Sequence, residues 1–193
     1  MVRRRTVTVV TGGALALGAG AAVAATAPPK TVVTPDPKGD VTGPLDLTRV
    51  AFGRATDGRL RASLTMAAAW DATALKVDKG RLGTICLKTW TVSTPPDAPP
   101  DYLVCVSRTA DGSLRGSVLQ ERANRLPARV AGADVSRPTA RTVTLRFSQS
   151  AIGNPATVRA QGETAAPGCG TVACTDVAPD GAATLVVKLR AAR

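Results

Sequence analysis

Histidine is absent from the 193 residues. That removes Ser-His-Asp triads, Cys-His dyads and every histidine-containing metal site at once. Aromatic residues make up only 3% of the chain. Its core must therefore be built from Val, Leu, Ile and Ala, and the interleaved rings of a single-stranded nucleic-acid groove are missing. The four cysteines, Cys86, Cys105, Cys169 and Cys174, show no C-x-x-C spacing, so a four-cysteine zinc site is disfavoured. There is no S-x-x-K motif for serine–lysine chemistry. No stretch carries a long helical period, and neither an internal repeat nor a second domain boundary is visible.

What is present begins with a leader. Arg3, Arg4 and Arg5 form a basic start, Thr6 to Ala21 is small, apolar and uncharged, and Ala22-Val23-Ala24 fits the A-x-A cleavage pattern. The run is short and weakly hydrophobic for a membrane anchor, and the hydrophobic match expected after a twin-arginine signal is missing. Residues 1–24 are therefore expected to be a cleaved signal peptide, 25–34 a flexible tether, and 35–193 a single domain. The three leader arginines account for part of the net charge of +11, leaving +8 on an exported, extracellular chain without a transmembrane segment. Hydrophobic residues at 44% suffice for a core.

An oxidising compartment suits disulfides, and four cysteines allow three connectivities. Local pairing, Cys86–Cys105 and Cys169–Cys174, is the economical choice. On loop-entropy grounds the first stabilises by about 3 kcal/mol and the second by about 2 kcal/mol. The first pair organises the stretch from Gly83 to Thr109, where two alternating segments flank a proline-rich turn. With Cys86 opposite Cys105, Leu87 faces Val104 and Ile85 faces Val106, on the face opposite the bridge. Cys86, Lys88 and Trp90 then share the other face with Leu103, Cys105 and Ser107.

Elsewhere the period is again two. Leu60, Ala62, Leu64 and Met66 alternate with polar residues, as do Val143, Leu145 and Phe147, and Leu185, Val187 and Leu189. Leu45 and Leu47 are out of phase with Val50 and Phe52, which a bulge reconciles. Leu114, Gly116 and Val118 continue the central hairpin. Pro127 argues that the strand over Leu126–Val135 lies at an edge. Ala67–Val77 reads as a loop that tucks Trp70 inside, and Ser148–Asn154 as one helical turn. Eight or nine short strands separated by turn signals predict an all-β, antiparallel, jelly-roll-like β-sandwich.

Three constellations are candidates for chemistry. Arg59, Arg61, Lys88, Arg115, Arg146 and Lys188 point away from the core, as a face for polyanions or as an ordinary solvated surface. Trp70 and Trp90 are the rings available to a glycan, or else they are core and bridge-shielding residues. Asp36 and Asp40 precede the first strand and Asp176 and Asp180 the last. Four carboxylates meeting at one end suit Ca²⁺, and the bland alternative is that each caps a turn. A glycosidase would need a marked carboxylate pair, and none stands out.

The segment Asp36-Pro37-Lys38-Gly39-Asp40 through Leu45-Asp46-Leu47 to Val50, the hairpin Ile85-Cys86-Leu87, and Cys174-Thr175-Asp176-Val177-Ala178-Pro179-Asp180 together resemble a group of exported actinobacterial proteins. No function carries over from that group. The opening D-x-x-G-D…L-D-[LI] is also similar to the entrance of DOMON-like and related carbohydrate-binding β-sandwich modules. That resemblance implies a jelly-roll-like sandwich and calcium. The chain departs from the haem-binding members in lacking histidine, and Met66 lies on the core phase. Calcium is the one candidate cofactor, with turn-capping aspartates as the alternative, and haem, zinc and nucleotide are not expected. The leading reading is a non-catalytic exported binding module for an extracellular glycan, polyanion or protein, with intracellular nucleic acid disfavoured. The alternatives are a structural or protein-interaction module of the cell envelope and a hydrolase of extracellular polysaccharide.

Overall fold

A computed structural model describes residues 31–78, 81–91, 94–95, 98–169 and 172–189; the side chains of 77–78, 81–82, 167–169 and 172–173 are not among those described. The expected signal peptide and the start of the tether lie outside the described residues. The strands are β1 (Thr31–Pro35), β2 (Leu47–Arg54), β3 (Leu60–Met66), β4 (Val77–Asp78), β5 (Arg81–Leu82), β6 (Thr84–Thr91), β7 (Tyr102–Arg108), β8 (Leu114–Arg122), β9 (Arg125–Ser136), β10 (Thr142–Phe147), β11 (Thr157–Cys169), β12 (Val172–Ala178) and β13 (Leu185–Lys188). Among the described residues, helix is confined to single 3-10 turns at Ala72–Leu75 and Gln149–Ile152. The first follows Trp70 within the expected loop, and the second falls where one helical turn was expected.

The described residues form thirteen strands, more than the expected eight or nine. Eleven of them form one antiparallel sheet in the order β1-β2-β3-β10-β9-β8-β7-β6-β11-β12, with β13 pairing β11 beside β12, and β4 and β5 make a separate ribbon. The path is open: β1 and β12 are its ends and do not pair with each other. Strand β9 joins the two halves, pairing β8 along most of its length and β10 only through Asp134, Val135 and Ser136. Its first half is therefore a local edge, and Pro127 sits at a register shift between the Gln120 and Arg122 pairs. There the missing N–H costs no ladder bond.

Two expectations need correction. Thr31–Thr34, assigned to the tether, belong with Pro35 to a strand in register with β2 from Thr31↔Gly53 to Pro35↔Arg49. Its β-branched Thr-Val-Val-Thr run favours extension at a sheet edge. Asp176 does not lie in a turn before the last strand. It sits within β12, opposite Thr164 of β11.

The central hairpin has the register that its alternation predicts. Cys86 faces Cys105, Leu87 faces Val104 and Ile85 faces Val106. The Cys86–Cys105 disulfide spans a Cα–Cα distance of 4.1 Å, close to that of a non-hydrogen-bonded antiparallel pair. Ile85, Leu87, Val104 and Val106 are buried behind it. Cys174 is also disulfide-bonded, and its expected partner Cys169 is among the side chains outside those described. In β2 the register shifts between Leu47 and Arg49, the bulge that brings Leu47, Val50 and Phe52 to the same interior.

The buried faces of both halves line one core. Phe52 and Phe147 stack with ring centroids 6.3 Å apart, among Leu64, Met66, Leu145, Val104, Val118 and Val187. The halves touch closely at Gly162 of β11, where a Cβ would come within 2.5 Å of a Val50 methyl and 3.2 Å of a Leu64 methyl. The sheet thus folds back on itself and brings β11 against β2 and β3.

Because Phe147 is fully buried and stacked, Phe147→Ala is expected to cost about 3–5 kcal/mol. Urea unfolding of the two proteins measures this. A loss below about 1 kcal/mol would place β10 at the periphery.

Candidate metal centre

Where β11 and β12 meet the β1–β2 connection, the chain brings its acidic residues together. Asp36 follows β1, and its N–H donates to Thr48 O at 3.0 Å. Asp40 follows Gly39, whose φ of +89° makes the turn and whose N–H donates to Asp46 Oδ2 at 2.9 Å. Two bonds from the facing strands fix the residues on either side of Asp46. The Thr164 hydroxyl donates to Leu45 O at 2.6 Å, and the Leu47 N–H donates to Asp176 Oδ2 at 2.5 Å. Asp180 lies in the turn after β12. The buried Gln161 amide donates 2.8 Å bonds to the carbonyls of Pro179 and Gly181 and so holds that turn.

The result is one cluster of five carboxylates. Ligating oxygens of Asp36, Asp40 and Asp180 lie within 4.8 Å of one another, and so do those of Asp40, Asp46 and Asp176. All four aspartates singled out in the sequence are present. Asp46 was not among them. Its signal was an acid between two leucines in a run leading into a strand, a position where both neighbours were bound to be buried. It is 5% exposed and Asp176 3%. Asp46 Oδ1 and both carboxylate oxygens of Asp36 are buried without a hydrogen-bond partner.

The electrostatics follow from this packing. Burial pushes the Asp36 carboxyl up to about 7, reinforced by the charges of Asp176, Asp180, Asp40 and Asp46. Burial likewise pushes Asp176 up to about 6, against the pull of the Leu47 N–H and with a further push from Asp40 and Asp46. Asp46 is raised by burial and by Asp40, with the Gly39 N–H and Lys38 opposing. Aspartates that cap turns in this chain behave oppositely. Asp111, fully exposed, is lowered to about 2 by the Thr109 hydroxyl and the Ser113 N–H and hydroxyl, and Asp71 is lowered by Thr73. Capping hydrogen bonds favour the charged form, whereas burial among like charges disfavours it. Asp36, Asp46 and Asp176 belong to the second class, so turn capping does not account for them.

The arrangement offers hard oxygen ligands only, which suits Ca²⁺ or another hard divalent ion. No family model, curated protein or solved structure matches the chain. Its function is therefore read from the site itself.

The other candidate residues are not gathered into a site. Trp70 is 4% exposed and Trp90 6%. The Trp70 indole donates to Arg141 O at 3.3 Å beneath the Arg137 guanidinium. Trp90 donates to Ala98 O at 2.8 Å. Neither presents a ring face to solvent. Arg59 pairs with Asp134, Lys88 with Glu163 and Arg146 with Asp57, while Arg61 and Arg115 are exposed. A pocket of about 640 Å³ lies between the Pro99–Tyr102 segment and the β8–β9 turn. Asp101 and Glu121 both line it, and Asp101 Oδ2 accepts 2.6 Å bonds from the Thr91 N–H and the Thr94 hydroxyl, which hold the loop.

The raised carboxyls set the pH dependence of the metal-free protein. In the unfolded chain these aspartates ionise near 3.8, while in the fold Asp36 and Asp176 keep their protons to about 7 and 6. The folded state thus binds more protons across this window, and stability falls as pH rises from about 4 to 7. Urea midpoints measured in chelator between pH 4.5 and 8 should decline, and Asp36→Asn should flatten much of the slope. Parallel profiles for the two proteins would show that Asp36 titrates normally.

Proposed function

We propose that the chain is an exported, non-catalytic β-sandwich module, jelly-roll-like in its apposed halves, whose folded form binds calcium through Asp36, Asp40, Asp46, Asp176 and Asp180. The second bridge in this reading joins Cys169 to Cys174. The observation that carries the reading is the buried, unpartnered Asp46 Oδ1 among four further carboxylates. A buried carboxylate oxygen facing like charges is costly unless a cation offsets it. An extracellular chain meets calcium at concentrations suited to weak and moderate sites.

The role of the ion follows from where the ligands originate. Asp36, Asp40 and Asp46 belong to the β1–β2 connection, and Asp176 and Asp180 to β12 and the turn after it. A cation held by both groups ties the two ends of the sheet path together, which makes calcium a condition of the fold's full stability. A glycan platform is not part of this reading, because both indoles are buried. A hydrolase is the weaker reading, because of the two carboxylates lining the pocket, Asp101 and Glu121, the first holds the loop through its Oδ2.

Ligand that binds only the folded state stabilises it by about 2.7 kcal/mol at a hundredfold excess over Kd. Millimolar calcium should raise the melting temperature at pH 7.5, chelator should reverse the rise, and Asp40→Asn should blunt the difference. Identical melting curves in calcium and in chelator would remove the metal site.

A further inference from the structure

We propose that the cluster holds two cations, with Asp40 as the carboxylate they share. This rests on the calcium reading above and adds the number of ions and the residues that divide them.

The five aspartates form two overlapping trios rather than one set. The outer trio is Asp36, Asp40 and Asp180, and the inner trio is Asp40, Asp46 and Asp176, each with ligating oxygens within 4.8 Å of one another. Oxygens on one calcium sit 2.3–2.6 Å from it, so two of them are at most about 5 Å apart. Each trio therefore fits within a single coordination sphere. Asp40 is the only member common to both, and a carboxylate has two oxygens to offer to two ions.

Each trio also contains oxygens that the protein leaves unsatisfied. In the inner trio, Asp46 Oδ1 is buried without a partner while Oδ2 takes the Gly39 N–H. In the outer trio, both oxygens of Asp36 are buried without a partner. A single ion in the inner trio would leave the Asp36 oxygens as they are. Charge points the same way. Five ionised aspartates carry a formal −5, which one divalent ion reduces to −3 and two reduce to −1. Lys38, whose charge acts on Asp46, lies in the same turn and opposes the remainder. The two positions differ in environment: Asp46 and Asp176 are buried, whereas Asp40 and Asp180 are exposed. The inner ion is the more enclosed and the slower to exchange, and the outer ion the weaker.

Isothermal titration of the chelator-stripped full chain with calcium chloride tests this. Two ions per chain are expected. Asp180→Asn, an exposed turn substitution that leaves the core untouched, should reduce the count to one and change the remaining affinity less than about threefold. Asp40→Asn should weaken both sites at least tenfold. Circular dichroism confirms that each variant is folded, and Asp46→Asn, which keeps the side-chain shape, reports on the inner ion. One ion per chain in the parent protein, with no change on Asp180→Asn, would overturn the shared-carboxylate site and leave the calcium reading standing. No calcium bound at all would overturn both.

Discussion

The structure depends on a clamp made by two side chains. Thr164 and Asp176 sit opposite each other on β11 and β12, and between them they bond Leu45 O and the Leu47 N–H. In an extended segment these two backbone groups point the same way, as they would toward a neighbouring strand. The clamp thus substitutes side-chain bonds for a strand ladder at the point where the two ends of the sheet path meet. It satisfies buried backbone groups that would each cost about 1–3 kcal/mol if left alone. It also settles where Asp46 points, because the residue between two clamped neighbours has little freedom left.

That solution has an electrostatic consequence. Asp176 accepts the Leu47 N–H through a buried carboxyl oxygen, and it does so beside Asp40 and Asp46. The hydrogen bond favours ionisation, while burial and the neighbouring charges oppose it, and the opposing effects prevail. Replacing such a group by an apolar residue is often neutral or favourable where the charge has no ligand to hold. Here five carboxylates converge on one place, and three of their oxygens are buried without partners. A fold selected for stability alone would have no use for this arrangement. One that closes around a hard cation gains from every member of it.

Much of the fold was legible because period-two alternation is a local signal. The Cys86–Cys105 hairpin, the bulge in β2 and the core positions Leu64, Leu145, Phe147 and Val187 all follow from it. Continuity of the sheet was not legible. Strand β9 joins the halves by pairing β8 and β10 at different points along its length, and nothing in a single strand's pattern says which partner it takes where. Asp36, Asp40 and Asp180 could be read from turn chemistry, and Asp176 was singled out on the same ground although it lies within β12. Asp46 stood in the Leu45-Asp46-Leu47 run but was not singled out, because an acid between two leucines looks like a solvent-facing strand position until both neighbours prove to be bonded across the core. Of the two readings open for the tryptophans, core residue or glycan platform, burial favours the first. A ring on a polar strand face suggests exposure, yet Trp90 is covered through its bond to Ala98.

The legible hairpin is what places the less legible site. Strand β6 carries Cys86 and pairs with β11 in continuous register, Cys86 opposite Glu163 and Ile85 opposite Thr164. A slip of one residue would turn Thr164 away from Leu45 and send every core residue of β11 to the wrong face. Gln161, opposite Lys88 in the same register, would at the same time lose the Pro179 and Gly181 carbonyls that hold the turn of Asp180. Three features suppress that slip: the Lys88–Glu163 pair, the buried Ile85 and Leu87, and Gly162, whose missing Cβ lets β11 approach Val50; the disulfide fixes β6 on β7 in turn. Register error is therefore prevented by residues outside the five-aspartate cluster. The acidic cluster can then carry unfavourable charge while only Asp176 among its members also holds the fold, through its bond to the Leu47 N–H.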